Sequence, residues 1–164
     1  TREGVFNASV GQENITVSLP NVSDFQIIDD YIFINTGSPH YVKFTSFLET
    51  INVNQEGAKI RYNPMFIKDG VNVNFVQFDE SGIFIRTYER GVESETLSCG
   101  TGVVAAVLSL FLSNKLLTNN DIIVNAKGGS LKVSYKYDAL KKMFYNIRLS
   151  NKVHMVFKGE TTIH

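Results

Sequence analysis

Apolar and polar positions alternate over short stretches of this chain, the period of strands with one face on a core. Asn14-Ile15-Thr16-Val17-Ser18-Leu19 follows that pattern and stops at Pro20, a breaker. Residues 25–34 form a second run, with Tyr31, Phe33 and the β-branched Ile32 and Ile34. Further strands are expected over residues 71–78, 83–88, 122–126, 131–137, 144–149 and 153–157. Turn-forming clusters separate them: Asp79-Glu80-Ser81-Gly82, Lys127-Gly128-Gly129 and Ser150-Asn151.

Two segments break the β pattern. Residues 46–52 suit a short helix, with Ser46 as N-cap and Glu49 three residues on, the spacing of a capping box. Residues 101–117 make the stronger helix. They are rich in Ala and Leu, lack Pro, keep their only glycine, Gly102, in the first turn, and reach Asn114-Lys115 near the end. The apolar residues of this segment fall on every side, and a helix apolar all round is buried all round. The expected fold class is therefore α+β, a mainly antiparallel sheet curled around one central buried helix. No internal repeat, low-complexity tract or long linker interrupts the pattern.

Composition narrows the function classes. The 164 residues suit one domain with a real core. Sixteen basic and 16 acidic residues cancel, and no basic stripe with interleaved aromatics appears, so no nucleic-acid partner is expected. The longest apolar run, residues 103–112, is broken by Ser109 and falls far short of the roughly 20 residues of a membrane span. No membrane association is expected. No signal peptide is expected, since Thr1-Arg2-Glu3-Gly4 offers no basic segment followed by an apolar stretch. One cysteine excludes an internal disulfide framework and fits a reducing, cytoplasmic setting. Histidines at 40, 154 and 164 lack ligand spacing, so no metal site is expected.

The single cysteine then needs its own account. It lies in Glu95-Thr96-Leu97-Ser98-Cys99-Gly100-Thr101-Gly102, directly before the apolar helix and after Tyr88-Glu89-Arg90-Gly91. Unpaired N–H groups and the positive dipole end at a helix start favour negative charge, so the thiolate should be stabilised there and the thiol pKa lowered. The same amides could cradle a carboxylate or phosphate, and Gly100 and Gly102 allow close approach. On the residues alone a second reading stands beside this one: Cys99 as a small buried hydrophobe. Likewise Glu89-Arg90 reads first as a solvated ion pair and His40 as a turn residue, and Asn72 can serve only to bond a neighbouring loop.

Tyr-Glu-Arg-Gly, then Glu-Thr, then Cys-Gly-Thr-Gly entering an Ala/Val-rich helix resembles the C-terminal active-site motif of diaminopimelate epimerases. Other segments match in order: Thr36-Gly37-Ser38-Pro39-His40-Tyr41-Val42, Val71-Asn72-Val73-Asn74-Phe75-Val76, Lys127-Gly128-Gly129-Ser130-Leu131 and Val156-Phe157-Lys158-Gly159. The resemblance covers essentially the whole chain. It implies one of two pseudo-symmetric halves, each a sheet around a helix, with a substrate cleft between them. The implied reaction is interconversion of LL- and meso-diaminopimelate, for lysine and peptidoglycan synthesis, without pyridoxal phosphate or metal. One thiol takes the α-proton from one face and a second thiol donates to the other.

On this resemblance Cys99 is one acid/base thiol, assisted by Glu89 and His40. Gly100 and Thr101 supply amides to the substrate α-carboxylate, and Asn72, Glu89, Arg90 and Ser38 hold its polar groups. Three departures accompany the match. Ser38 stands where many members have Asn, and the loop Gly91-Val92-Glu93-Ser94-Glu95-Thr96 is one residue longer than the commonest form. The third is the absence of the Gly-Asn-Gly-x-Arg-Cys motif that carries the partner thiol. Residues 1–21 are therefore expected to be remnant strands of a missing N-terminal half, with 22–164 the C-terminal half. The chain alone is expected to be inactive, and its open half-cleft to favour self-association as a homodimer. The rival enzymes are a proline racemase or hydroxyproline epimerase, which shares a Cys-Gly-Thr-Gly helix start, and a phenazine-type isomerase, which lacks the cysteine. A non-catalytic amino-acid-binding or assembly module is the rival from another class.

Overall fold

The computed structural model describes residues 6–11, 14–116, 121–154 and 156–161. Along the chain run β1 (Ala8–Val10), β2 (Asn14–Ser18), β3 (Phe25–Ile28), β4 (Tyr31–Asn35), β5 (Pro39–Phe44), a 3-10 turn (Leu48–Thr50) and α1 (Val53–Arg61). There follow β6 (Asn72–Asp79), β7 (Gly82–Glu89), β8 (Ser94–Thr96), α2 (Gly100–Leu112), β9 (Ile122–Ala126), β10 (Gly129–Asp138) and β11 (Met143–Lys152). All strands join one sheet in the order β1-β2-β11-β10-β9-β7-β6-β5-β4-β3, with β8 paired to β7. The pairings β5–β6 and β7–β9 are parallel and the others antiparallel. Each parallel pair needs a crossover, supplied by α1 and by α2.

Helix α2 is the hub. It touches β4, β5, β6, β7, β9, β10 and β11, strands drawn from most of the sheet's width, so the sheet curls around it. Its residues from Gly102 to Leu110 are all buried, as a helix with no polar stripe must be. Each such Val or Leu contributes about 1.5–3 kcal/mol of apolar burial, so the helix and its sheath stabilise one another. At its end, Asn114 takes a left-handed φ of 55°, and the N–H of Lys115 bonds back to the Leu110 carbonyl at 2.9 Å. That Schellman-type cap stops the helix at Leu112, earlier than the expected residue 117. Leu117 itself lies outside the described residues.

The sheet's other face is covered locally by α1. Tyr41, Leu48, Val53, Val71, Val73, Phe75 and Tyr88 form this second core. Strand β6 is thus buried on both faces, which explains why Val71 to Val76 contains no exposed position. Among the described residues no helix is long and apolar enough to cross a membrane.

Several expected elements are corrected. The run 25–34 is two strands, β3 and β4, paired from Phe25↔Ile34 to Ile28↔Tyr31 around a tip at Asp29-Asp30. Two adjacent aspartates favour a turn over a buried ladder. The helix expected over 46–52 is only the 3-10 turn, and Phe47, not Ser46, precedes it. The true start lies at Asn52, whose side chain accepts from the Gln55 N–H and opens α1. Residues 153, 154, 156 and 157 hold no strand, Val156 and Phe157 being largely exposed with no packed partner strand; Met155 lies outside the described residues. Strands β5 and β8 were not expected.

Candidate active site

Three neighbouring strands carry the site. On β5, β6 and β7 the side chains that face α2 alternate with those that face α1. Val42, Val76, Ile83 and Ile85 on that inner face join the core around α2. Toward the start of α2 the same face turns polar: His40 on β5, Asn72 and Asn74 on β6, Thr87 and Glu89 on β7. Register aligns them, His40 opposite Asn72 and Asn74 opposite Thr87. His40, Asn72, Asn74 and Thr87 are all buried, so each needs partners.

Cys99 is the N-cap of α2, in extended conformation, and its side chain makes no capping bond. Sequence position and structure therefore agree on a thiol at a helix start. The approach is fixed by the loop before it, where the N–H of Gly128 donates to the Leu97 carbonyl at 2.7 Å. Gly102 permits the fit: a Cβ there would press on Asn74 Oδ1 and on the Cys99 side chain.

A hydrogen-bond network joins these groups. Asn74 Nδ2 lies 3.0 Å from His40 Nδ1, and Thr87 donates to Asn74 Oδ1 at 3.0 Å. On its other nitrogen, His40 Nε2 is 3.0 Å from Ser38 Oγ and 3.1 Å from Thr101 Oγ1. Thr101 Oγ1 is in turn 3.6 Å from Cys99 Sγ. Thr36 donates to the Thr101 carbonyl at 2.9 Å and so pins the first turn of α2 to the strand end. Asn72 is engaged at both ends, donating to Ser38 Oγ and the Pro39 carbonyl and accepting from the Arg90 N–H. The guanidinium of Arg90 donates to the Asp69 carbonyl at 2.8 Å.

Burial, then the positive charge of Arg90, lower the His40 pKa to about 3. The imidazole is neutral at physiological pH. For Cys99 the expected lowering is reversed. Burial pushes the thiol above its ordinary value, and Glu89 adds to that, while the Thr101 hydroxyl and the N–H groups of Gly102 and Thr101 act against it. The helix-start effect is present, but loss of water around a nearly enclosed sulfur outweighs it.

The sequence-derived residues thus fall into two groups. Ser38, His40, Asn72, Thr101 and Cys99 are joined by hydrogen bonds. Glu89 reaches Cys99 and Arg90 reaches His40 through their charges. Gly100 opens α2 at a point where a Cβ would press on the Leu149 side chain. Glu95 points to the opposite face, bound to Arg86 and Lys127. Sequence reasoning missed Asn74, Thr87 and Thr36. The available signal was polar residues within strands otherwise apolar on both faces. A protonated thiol, a neutral imidazole and helix-start amides can deliver a proton to a neighbouring atom and hold the negative charge that remains.

The fold is shared with amino-acid isomerases of known structure. A probable proline racemase from Agrobacterium radiobacter K84 superposes with a TM-score of 0.62 at 15% identity, covering 96% of this chain and 56% of that one. A hydroxyproline epimerase from Agrobacterium vitis gives 0.58 at 13%, covering 88% and 53%. At such identities these likenesses speak for the fold alone. In sequence, the family model described as diaminopimelate epimerase matches residues 32–149. The chain is 43% identical over 163 residues to the diaminopimelate epimerase of Flavobacterium psychrophilum, covering 98% of this chain and 62% of that protein. It is 41% identical over 129 residues to that of Aquifex aeolicus, covering 78% and 44%. The chain belongs to the diaminopimelate epimerase family, and it spans 62% or less of the length of these relatives.

Proposed function

We propose that this chain provides one thiol acid/base and part of the substrate cleft of a diaminopimelate epimerase, a cofactor-independent cytoplasmic enzyme of lysine and peptidoglycan synthesis. The observation that carries the reading is Cys99 at the N-cap of α2, joined through Thr101 to a neutral His40 and set beside Glu89. In one direction a base on the far side of the substrate takes the α-proton. The Cys99 S–H then donates its proton to the opposite face, and the configuration inverts. In the other direction the Cys99 thiolate takes the proton. Burial keeps the thiol protonated at rest, which suits the donor role.

Helix-start amides at Gly100 and Thr101 offer an α-carboxylate the same positive dipole end that stabilises charge on the α-carbon. Arg90 is the cation for a substrate carboxylate, with Asn72 fixing its backbone. The chain holds one cysteine, so the second thiol comes from polypeptide beyond these residues. Under this reading residues 1–21 are the last strands of that other half, and the β2–β11 pairing is the seam between the two.

The test is α-hydrogen exchange of LL-diaminopimelate in heavy water, comparing this chain with a version extended N-terminally to restore the other half. Exchange only by the extended protein, abolished by Cys99→Ala, is the expected result. Exchange of proline but not diaminopimelate, or binding without exchange by the extended protein, would overturn the reading.

A further inference from the structure

The amide of Asn74 can face only one way. The Tyr41 carbonyl, an obligate acceptor, lies 3.3 Å from Nδ2, and the Thr87 hydroxyl donates to Oδ1. Nδ2 therefore presents an N–H to His40 Nδ1, and that nitrogen must offer its lone pair. A neutral ring has one proton, so it sits on Nε2, toward Ser38 Oγ and Thr101 Oγ1. Neither hydroxyl can then give its hydrogen to the ring.

Asn72 is locked in the same manner. The Arg90 N–H can only donate, at 2.9 Å to Oδ1, and the Pro39 carbonyl can only accept, at 3.1 Å from Nδ2. Nδ2 also donates to Ser38 Oγ at 3.1 Å, which leaves the Ser38 hydrogen for Thr101 Oγ1 at 3.4 Å. Thr101 thus accepts from Ser38 and His40. Its own hydrogen is left for Cys99 Sγ at 3.6 Å. Every bond runs in one direction, from amides locked by backbone partners to the sulfur.

We infer that Asn74 is a positioning residue that holds His40 in its Nε2–H tautomer and thereby aims the Thr101 hydroxyl hydrogen at Cys99 Sγ. The inference rests on the reading of Cys99 as the acid/base thiol. Thr87 supports Asn74 in this role, and Ser38 passes on the same direction from Asn72. The charged groups that face the pair are Arg90, beside His40, and Glu89, beside Cys99. Neither supplies a hydrogen to the sulfur in this arrangement. A hydroxyl donating to sulfur favours the thiolate, so the chain eases proton removal from an otherwise buried thiol.

The test uses the whole 164-residue chain, in which alkylation by iodoacetamide reports on Cys99 alone. Nitrogen-15 NMR of imidazole-labelled protein should show His40 protonated at Nε2. Asn74→Leu should populate the other tautomer and raise the midpoint of the alkylation–pH profile by about one unit, roughly tenfold slower reaction below both midpoints. Thr101→Val should raise it similarly, and the double variant should show no further rise. Should Asn74→Leu not fold, Asn74→Ala, which removes the same amide with a smaller change of shape, carries the same expectation in direction. Protonation at Nδ1 in the unmutated chain, or an Asn74→Leu shift undiminished in the Thr101→Val background, would overturn the inference. Neither measurement involves substrate or a second thiol, so a failure of α-hydrogen exchange would count against the proposed function and not against this relay.

Discussion

Arg86 grips Glu95 through two bonds, Nε to Oε1 at 2.7 Å and Nη2 to Oε2 at 2.9 Å. Nη1 of the same guanidinium reaches the carbonyls of Leu48 and Ile51, and Lys127 adds a second cation to Glu95. The pair therefore ties the loop before Cys99 to the 3-10 turn and to the β9–β10 turn. The Arg86 hydrogen bond, then Lys127, hold the Glu95 carboxyl below its ordinary value. Its contribution is complete above the unfolded value of 4.5 and is lost as pH falls through the lower folded value. Glu95→Gln should lose about 2 kcal/mol at pH 7 and flatten the fall in stability below pH 4.5, as measured by urea unfolding across pH.

His40 acts in a higher window. Its folded pKa of about 3 lies below the ordinary 6.5, so the unfolded chain binds the extra proton throughout that interval. Stability should fall by about 1.4 kcal/mol per pH unit as pH drops from 6.5 toward 3, and be level above 6.5 as far as this group is concerned. His40→Gln should remove that slope between pH 6.5 and 4.5, where Glu95 is still ionised. An unchanged slope would show that His40 is charged in the fold.

Gly57 sits inside α1, where alanine would ordinarily gain about 1 kcal/mol of helix propensity. A Cβ at this position would collide with the ring and Cβ of Tyr88, which is buried and bonded to Glu93. Overpacking costs about 1–3 kcal/mol, so collision outweighs propensity and Gly57→Ala should destabilise. Thermal unfolding of the two proteins decides the sign.

Phe144 is completely buried, in contact with Phe25, Phe111, Tyr135 and Tyr137, and its backbone exchanges two hydrogen bonds with Val22. Phe144→Ala should cost about 3–5 kcal/mol in denaturant unfolding. A loss below 1 kcal/mol would mean that these rings repack around the vacated space.

The helix α2 was legible because beyond its first turn nothing polar interrupts it except Ser109, and so was the wrapping sheet, whose longer strands show a clear period. What escaped was short or locally contradictory. Strand β8 has three residues, too few for an alternation to register. After Pro39, His40 read as a turn residue, yet it pairs with Asn72 in the interior, because a proline can occupy the first position of a strand. Helix α1 was masked by the capping-box spacing at Ser46, while the cap that forms is Asn52 with Gln55. In the site, Cys99 announced itself by its neighbours. Asn74 and Thr87 did not, since their value lies in facing each other across the β6–β7 ladder and in meeting His40 from β5, which only the register reveals. The Cys99 titration was misjudged because helix position is visible in a sequence and enclosure of the sulfur is not.

The pairing of β2 with β11 has a consequence for biogenesis. Helix α2 emerges from the ribosome before β9, β10 and β11, and these strands supply a large part of its cover. For that interval Val103 to Leu110 has no complete hydrophobic shelter, and the nascent chain presents a sticky helix flanked by unpaired strand edges. Stalled or truncated synthesis within β9 to β11 would leave the same surface open. Efficient production of this fold should therefore depend on chaperones that hold the chain until β11 is released.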